Sequence, residues 1–500
     1  MARSESNAGR FVKHSTIYAI GNISRQLVGF LMLPLYTRFL TPSDYGVVGL
    51  LTFSLAVLEP FFGARLGDAM LKFYYEATEE RQRRLVISTT LTVTGVVSTL
   101  VATIACLSRG PASTLIFGSD KYALPVGLFA FIFLTQAIEY YGLTFIRIQQ
   151  RPVLFITITL SKLIVQLSLN VWLIVYLKLG VTGVAMSGIV SSVMVSAGLA
   201  VYTIWFNGVK CDLQIARRMV IFSWPLWLSS LASLYIFSSN RYYIRIFSSM
   251  DQVGYYELAA RFGAIIGLII WQPFTQFWET ERFRHWKKPD AGVIFGSVYE
   301  FCSTLLVLGA LGISIFSAPV IELMAAPAFH QAQLLVPWLA FSWVFGYLSL
   351  FATFSFLVTE KTGLITRNSY ITVAIITALN LLLIPKLGYI GAGMAQFFAL
   401  LAAFLLLRYE SRAYFDMRMR LGPLASMLGV CVAGYLLANR LVHFAPLWLD
   451  LLWKLAIFGA SAALTIAILL RSAPNKAQVA RLLDGLVFPL MRRLRLLPHP

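Results

Sequence analysis

The stretch RFLTPSDYGVVGLL, Arg38 to Leu51, carries an apolar run up to an arginine, turns through Thr-Pro-Ser-Asp and restarts on Tyr-Gly. Farther on, RIFSSMDQVGYYELAARFG, Arg245 to Gly263, makes the same turn, and Gly46 aligns with Gly254 at an offset of 208 residues. A second match lies elsewhere in the chain. RPVLFITITLSKLIVQLSLN, beginning at Arg151, overlies KTGLITRNSYITVAIITALN, beginning at Lys361, so that Asn170 overlies Asn380 at an offset of 210. After a two-residue gap, LKLGVTGVAMS overlies PKLGYIGAGMA. Two matches at nearly one offset, far apart in the chain, indicate duplication of a larger unit.

Composition identifies the material of that unit. The 500 residues are 58% hydrophobic and only 13% charged, against about a quarter charged in ordinary soluble domains. Mean hydropathy is +0.74. Apolar stretches of roughly 20 residues, the length that crosses a bilayer core, recur from end to end. The expected fold is all-α and polytopic, with about 14 spans near 13–39, 45–65, 84–107, 121–147, 152–177, 182–205, 218–246, 253–278, 292–315, 331–358, 362–384, 389–409, 422–440 and 449–470. The first span follows a polar, basic start and shows no small-residue cleavage site, so it reads as retained.

Duplication then groups the spans as six, six and two. Six is even, so both halves enter from the same side, giving a parallel pseudo-twofold pair of lobes that can rock about a central site. The expected organisation is an N-lobe over 1–210, a C-lobe over 211–415, two added helices over 416–472 and a tail over 473–500. In the tail, Val479, Leu482, Leu483, Leu486, Leu490 and Leu494 share one face and the arginines lie largely off it. That pattern reads as a basic amphipathic helix on the cytoplasmic leaflet, kinked at Pro489.

The net charge of +19 follows from loops rather than from a nucleic-acid surface. With both termini cytoplasmic, 27 of the 41 lysines and arginines fall inside and eight outside, the asymmetry expected of a membrane protein. The six that remain lie within spans: Arg25, Arg65, Lys162, Arg241, Arg261 and Arg367. A charge at that depth faces a cavity or a partner. Asn22, Arg25 and Gln26 share a face of the first span. Lys162, Gln166 and Asn170 form a polar stripe along the fifth, and Gln136, Glu139, Tyr140 and Arg147 lie on one side of the fourth.

Each of these has a plainer structural reading. Glu257 and Arg261, four apart, either neutralise each other or face the cavity. Arg65, Arg241 and Arg367 have snorkelling to an interface as the alternative. Arg25 and Lys162 lie deeper, with no carboxylate close in sequence, and are the strongest candidates for a cavity. The excess of cations at depth suggests an anionic substrate such as a phosphate or pyrophosphate, which suits arginine donors. Amide, hydroxyl and aromatic groups beside them suit a sugar. An inside-negative potential would assist outward movement of such a substrate, by about 2.3 kcal/mol per charge per 100 mV.

No catalytic signature competes. There is no Walker loop or nucleophile elbow, and GYIGAGMAQ around Gly391 fails the dinucleotide pattern and reads as close helix packing. The four cysteines and five histidines show no metal or disulfide spacing, so no cofactor is expected. The longest outer loop, around Pro319 to Gln331, is small for the site of a membrane-embedded glycan polymerase or glycosyltransferase.

The run STIYAIGNISRQLVGFLMLPLYTRFLTPSDYGVVGLL resembles the opening of the polysaccharide-biosynthesis flippases of the multidrug/oligosaccharidyl-lipid/polysaccharide exporter superfamily. SSNRYYIRIFSSMDQVGYYELAARFG is similar to that family's seventh and eighth spans. The resemblance covers nearly the whole chain. It implies two lobes around a cationic cavity and outward flipping of undecaprenyl-pyrophosphate-linked oligosaccharide across a bacterial inner membrane. It also implies lumen arginines at Arg25 and Arg261, a lipid-tail groove at the last two helices, and no enzymatic activity.

Around the glycolipid substrate and the membrane lipids, the resemblance implies a polysaccharide polymerase and glycosyltransferases as partners. It leaves sodium or proton coupling open. Where many relatives carry an aspartate before the arginine, this chain has Asn240, which argues against cation coupling there. The substrate-binding set expected from residues and resemblance together is Asn22, Arg25, Gln26, Lys162, Gln166, Asn170, Arg241, Glu257 and Arg261. The alternatives are a multidrug exporter, which would favour acidic groups in the cavity, a lipid II flippase, which differs only in substrate, and a membrane glycan polymerase.

Overall fold

The turn quoted above is a helix start with its own cap. Thr41 Oγ1 donates to Asp44 Oδ2 at 2.8 Å and accepts from the Asp44 amide at 3.1 Å, while the Thr41 amide donates to the same carboxylate at 3.2 Å. This reciprocal capping box satisfies amides that a helix leaves open, and Pro42 fills a first-turn position that needs no N–H. The helix Pro42–Leu58 follows. In the second copy Ser249 stands where Thr41 stands and Gln252 where Asp44 stands. The Gln252 amide donates to Ser249 Oγ at 3.4 Å, and the helix Met250–Ile266 begins.

The computed structural model describes residue 30 and residues 32–58, 66–441 and 447–472. These residues are helical throughout their regular structure. Ten of the helices are long and apolar enough to cross a membrane, from Glu80–Leu107 to Trp448–Ser472, and the chain is a multi-pass membrane protein. Three expected spans, 13–39, 45–65 and 218–246, are outside those ten, the first two running into residues outside the described set. Two others share the 50-residue helix Thr362–Ser411, which breaks at Gly388 with φ 57° and ψ −137°. The count of fourteen therefore stays an expectation. The amphipathic tail expected over 473–500 lies outside the described residues.

The chain divides into two compact units, residues 1–257 with 324–329, and residues 258–323 with 330–500. In the first unit, Ala123–Ile148 packs between Glu80–Leu107 and Gly180–Asn207. Small residues permit this approach: a Cβ on Gly142 would lie 2.8 Å from Leu199. In the second unit, Val336–Ala352 lies along Thr362–Ser411. The added helices Leu421–Leu436 and Leu447–Ser472 pair with each other, and Ser461 fills the gap over Gly434. Glu300, almost completely buried on Ala291–Met324, fastens them. It accepts from Arg420 Nε and Nη2 at 2.9 and 2.7 Å and from Ser472 Oγ at 2.8 Å.

The duplication is visible in backbone conformation. Gln150 and Glu360, each one residue ahead of the matched Arg151 and Lys361, are left-handed at φ 55° and 59°. Gly180 and Gly388, matched at the other offset, both have positive φ, 54° and 57°. A Cβ on Gly183 would meet the Leu173 carbonyl, and one on Gly391 would meet the Leu383 carbonyl, the matched residue. Strained positions recur only when the same local fold recurs, because αL costs a side-chain-bearing residue free energy.

The two capped helices cross each other at their matched glycines. A Cβ on Gly254 would overlap the Pro42 carbonyl oxygen, and one on Gly46 would lie 2.5 Å from the Met250 carbonyl oxygen. Backbone opposes backbone, so neither side can yield. Gly46→Val and Gly254→Val should each lower stability in detergent by at least about 1–3 kcal/mol, the range for overpacking. Gly459→Ala, where a Cβ meets nothing within 4 Å, should leave the melting temperature unchanged or slightly raised. Equal melting curves for all three would refute the crossing.

Candidate functional site

Among the described residues of the first unit, two acid–base pairs are largely shielded from solvent. The first is beside the glycine crossing. Glu257 lies two turns into its helix from Ser249, about 12 Å by helical rise. Its carboxylate accepts from Arg241 Nε and, at 3.3 Å, from Arg241 Nη2. Arg241 Nη1 donates to the Phe237 carbonyl at 3.2 Å, and the guanidinium lies over the Tyr256 ring at 5.2 Å. Tyr256 OH accepts from Asn240 Nδ2 at 3.0 Å, and Tyr242 OH and Ser54 Oγ share a hydrogen bond of 2.8 Å. Room for the carboxylate comes from Gly49, where a Cβ would overlap Glu257 Cγ.

The second pair is at mid-depth. Lys162 lies ten residues into Pro152–Asn170, about 15 Å by helical rise, half the thickness of a bilayer core. Its ammonium donates to Glu139 Oε2 at 2.5 Å. Glu139 is 10% exposed by its side chain and Lys162 19%, so the pair is largely shielded. A lone charge here would be far more costly than the pair.

The expected residues therefore divide. Lys162 is in one cluster, Arg241 and Glu257 in the other. Arg261, half-buried, lies one turn beyond Glu257 on the same helix, in the second unit. Asn170 does not extend the Lys162 cluster. Two turns farther along its helix, its Nδ2 donates to Tyr36 OH at 2.9 Å and its Oδ1 accepts from Ser187 Oγ at 2.5 Å. Gln166, half-buried, lies between. Arg367 reaches Glu410, whose other oxygen accepts from Asn368 at 2.8 Å, so it bonds a carboxylate rather than only snorkelling. Asn22, Arg25, Gln26 and Arg65 lie outside the described residues.

Sequence reasoning placed Glu139 on a polar face without making it the partner of Lys162. The available signal was scarcity: a carboxylate within an apolar span needs a cation or donor, and few cations lie at that depth. Gly49 carried no signal of its own, since its role depends on Glu257 alone.

The sequence model of the polysaccharide biosynthesis protein family matches residues 11–277. No curated protein matches the chain. Among solved structures, a lipid II flippase, MurJ, in an inward closed conformation is similar with a TM-score of 0.73 at 11% identity, over 91% of this chain and 99% of that one. A multidrug resistance MATE family transporter in an inward-facing conformation is similar with a TM-score of 0.60 at 13% identity, over 78% of this chain and 95% of that one. The MATE multidrug transporter DinF-BH gives 0.55 at 14% identity, over 84% of this chain and 99% of that one. At these identities the likeness is one of fold.

The mid-depth pair can be dissected. Glu139→Ala leaves an uncompensated ammonium and should destabilise by about 3–5 kcal/mol. The double variant Glu139→Leu with Lys162→Leu should recover most of that loss, because paired charges are replaced by apolar surface. Thermal unfolding in detergent reads both. A double variant less stable than the single would mean that the pair is not matched as described.

Proposed function

As the chain belongs to the polysaccharide biosynthesis protein family, and is thereby a membrane flippase or transporter, we propose that it moves a polyprenyl-pyrophosphate-linked oligosaccharide outward for cell-surface polysaccharide synthesis. The family match over 11–277 is the observation that carries this reading. In this reading the setting is a bacterial inner membrane, as the family resemblance implies, and the distribution of basic residues supports both termini being cytoplasmic. The two lobes, divided near residue 210, would rock about a central site, with the two helices over 416–472 added outside them.

In this reading the pyrophosphate binds cations of the membrane interior, with Arg25 and Arg261 as the leading groups. Lys162 and Arg241 enter differently from a bare cationic lining. Each is neutralised by a glutamate in the described structure, so a substrate anion would have to exchange with that carboxylate. Such exchange allows the empty protein to hold cations at depth without an unbalanced charge. Asn22, Gln26 and Gln166 would contact sugar hydroxyls, and the polyprenyl chain would remain in lipid.

Fold-likeness to MATE transporters favours a second reading, export of an organic cation, in which Glu139 or Glu257 would meet the substrate. Their engagement with Lys162 and Arg241 weighs against it, since both carboxylates already have cationic partners.

Mass spectrometry of polyprenyl-linked glycans, with leaflet sidedness, distinguishes the readings in a strain lacking the protein. Complete repeat units trapped on the cytoplasmic leaflet are expected. Truncated glycans would indicate an enzyme, and unchanged glycans the drug-exporter reading. Restoring Arg25→Ala or Arg261→Ala protein at normal levels should leave the units trapped. Normal polymer output from both variants would remove these arginines from the site.

A further inference from the structure

The first unit has a cavity of about 460 Å³ that neither polar cluster uses. It is an open groove between Glu80–Leu107 and Gly180–Asn207, lined by Leu91, Gly95, Val96, Leu100, Ile138 and Ile204 among others. Val96 and Leu100 are more than half exposed, so the groove opens on the surface that meets lipid. Its floor is Gly95, where a Cβ would meet nothing within 4 Å. A mid-helix glycine is destabilising relative to alanine. No neighbouring helix among the described residues needs the space it leaves. The vacant volume is the groove itself.

One end of the groove is built and basic. The turn that closes it, 208–212, is held to the 80–107 helix by two buried hydroxyls. Ser88 Oγ lies 3.0 Å from the Gly208 carbonyl and 2.7 Å from the Lys210 carbonyl and accepts from the Lys210 amide at 2.6 Å. Thr89 Oγ1 accepts from the Asp212 amide at 3.0 Å. Asp212 then caps Leu213–Ser238. Residues 81, 84, 88, 91, 95 and 99 follow one helical face, so Arg81 and Arg84 continue the groove face beyond its end. Both are exposed, as is Lys210, and the nearest carboxylate oxygen paired with Arg84 is that of Glu80, 3.5 Å away.

We propose that this groove is a binding site for an anionic phospholipid, with one acyl chain along Gly95 and the headgroup at Arg81, Arg84 and Lys210. Length favours that occupant. Leu91 to Leu100 spans about 14 Å of helix, close to half the roughly 30 Å hydrocarbon core and hence to one leaflet. A long polyprenyl chain would overrun it. Charge favours it too, since cations at the end of an interhelical groove bind anionic headgroups at a membrane surface.

The test uses the purified full-length chain in bilayer nanodiscs, with phosphatidylglycerol or phosphatidylcholine carrying a photoactivatable group in the acyl chain. Labelled peptides are identified by mass spectrometry. Phosphatidylglycerol should label residues 91–100 and 200–209 at least about fivefold over phosphatidylcholine, the ratio for one surface charge. Gly95→Leu should abolish labelling there and preserve it elsewhere. Arg84→Gln and Lys210→Gln, at exposed positions that leave the core intact, should each reduce it about fivefold. Equal labelling by the two lipids, or labelling unchanged in Gly95→Leu, would overturn the proposal. So would displacement of phosphatidylglycerol by an equimolar polyprenyl phosphate.

Discussion

The contact on which the described site depends is the approach of two helix backbones at Gly46 and Gly254. Each glycine faces the first residue of the opposing helix, Met250 in one case and Pro42 in the other. No side chain fits between them. The capping box at Thr41–Asp44 and the Ser249 cap on the Gln252 amide start the helices at positions that make this meeting possible. One turn deeper, the same closeness brings Gly49 under Glu257 and aims that carboxylate at Arg241. Helix start, helix crossing and ion pair are three consequences of one short spacing.

Among the described residues, the shielded charges of the first unit are balanced locally. Lys162 with Glu139 and Arg241 with Glu257 each combine one cation and one anion contributed by different helices. This pattern suits an apolar solvent. Desolvating a pair costs less than desolvating two separate ions, and its geometry fixes how neighbouring helices rotate about their axes. Hydroxyl and amide links such as Tyr36–Asn170–Ser187 do the same without charge. The membrane interior of this protein is therefore held in register by a few directional contacts on a background of non-directional packing, as expected where lipid removes the hydrophobic drive between helices.

Much of this was legible in the chain. Composition and span length gave the all-helical membrane class, since bilayer thickness leaves few other solutions. The 208- and 210-residue offsets marked equivalent sites that share backbone conformation down to the left-handed residues Gln150 and Glu360. What sequence did not show was pairing across helices. Arg241, sixteen residues from Glu257 and on another helix, holds its carboxylate, and helical spacing does not join the two. Glu139 and Lys162 are 23 residues apart, on successive helices, and only their packed rotation brings them together. Helical spacing names the residues on one face; it does not say which faces meet.

Gly49 and Glu257 occupy the same place in the two copies, at the offset that also relates Gly46 to Gly254. One copy supplies an empty position and the other the side chain that enters it. Two identical subunits related by a true twofold could not do this. Glycine on both sides would leave Arg241 without its anion, and glutamate on both would crowd two negative charges into one space. The arrangement requires two copies whose sequences differ at that position, as the halves of this chain do. Divergence of the halves thus turned a symmetric contact into a lock with distinct parts.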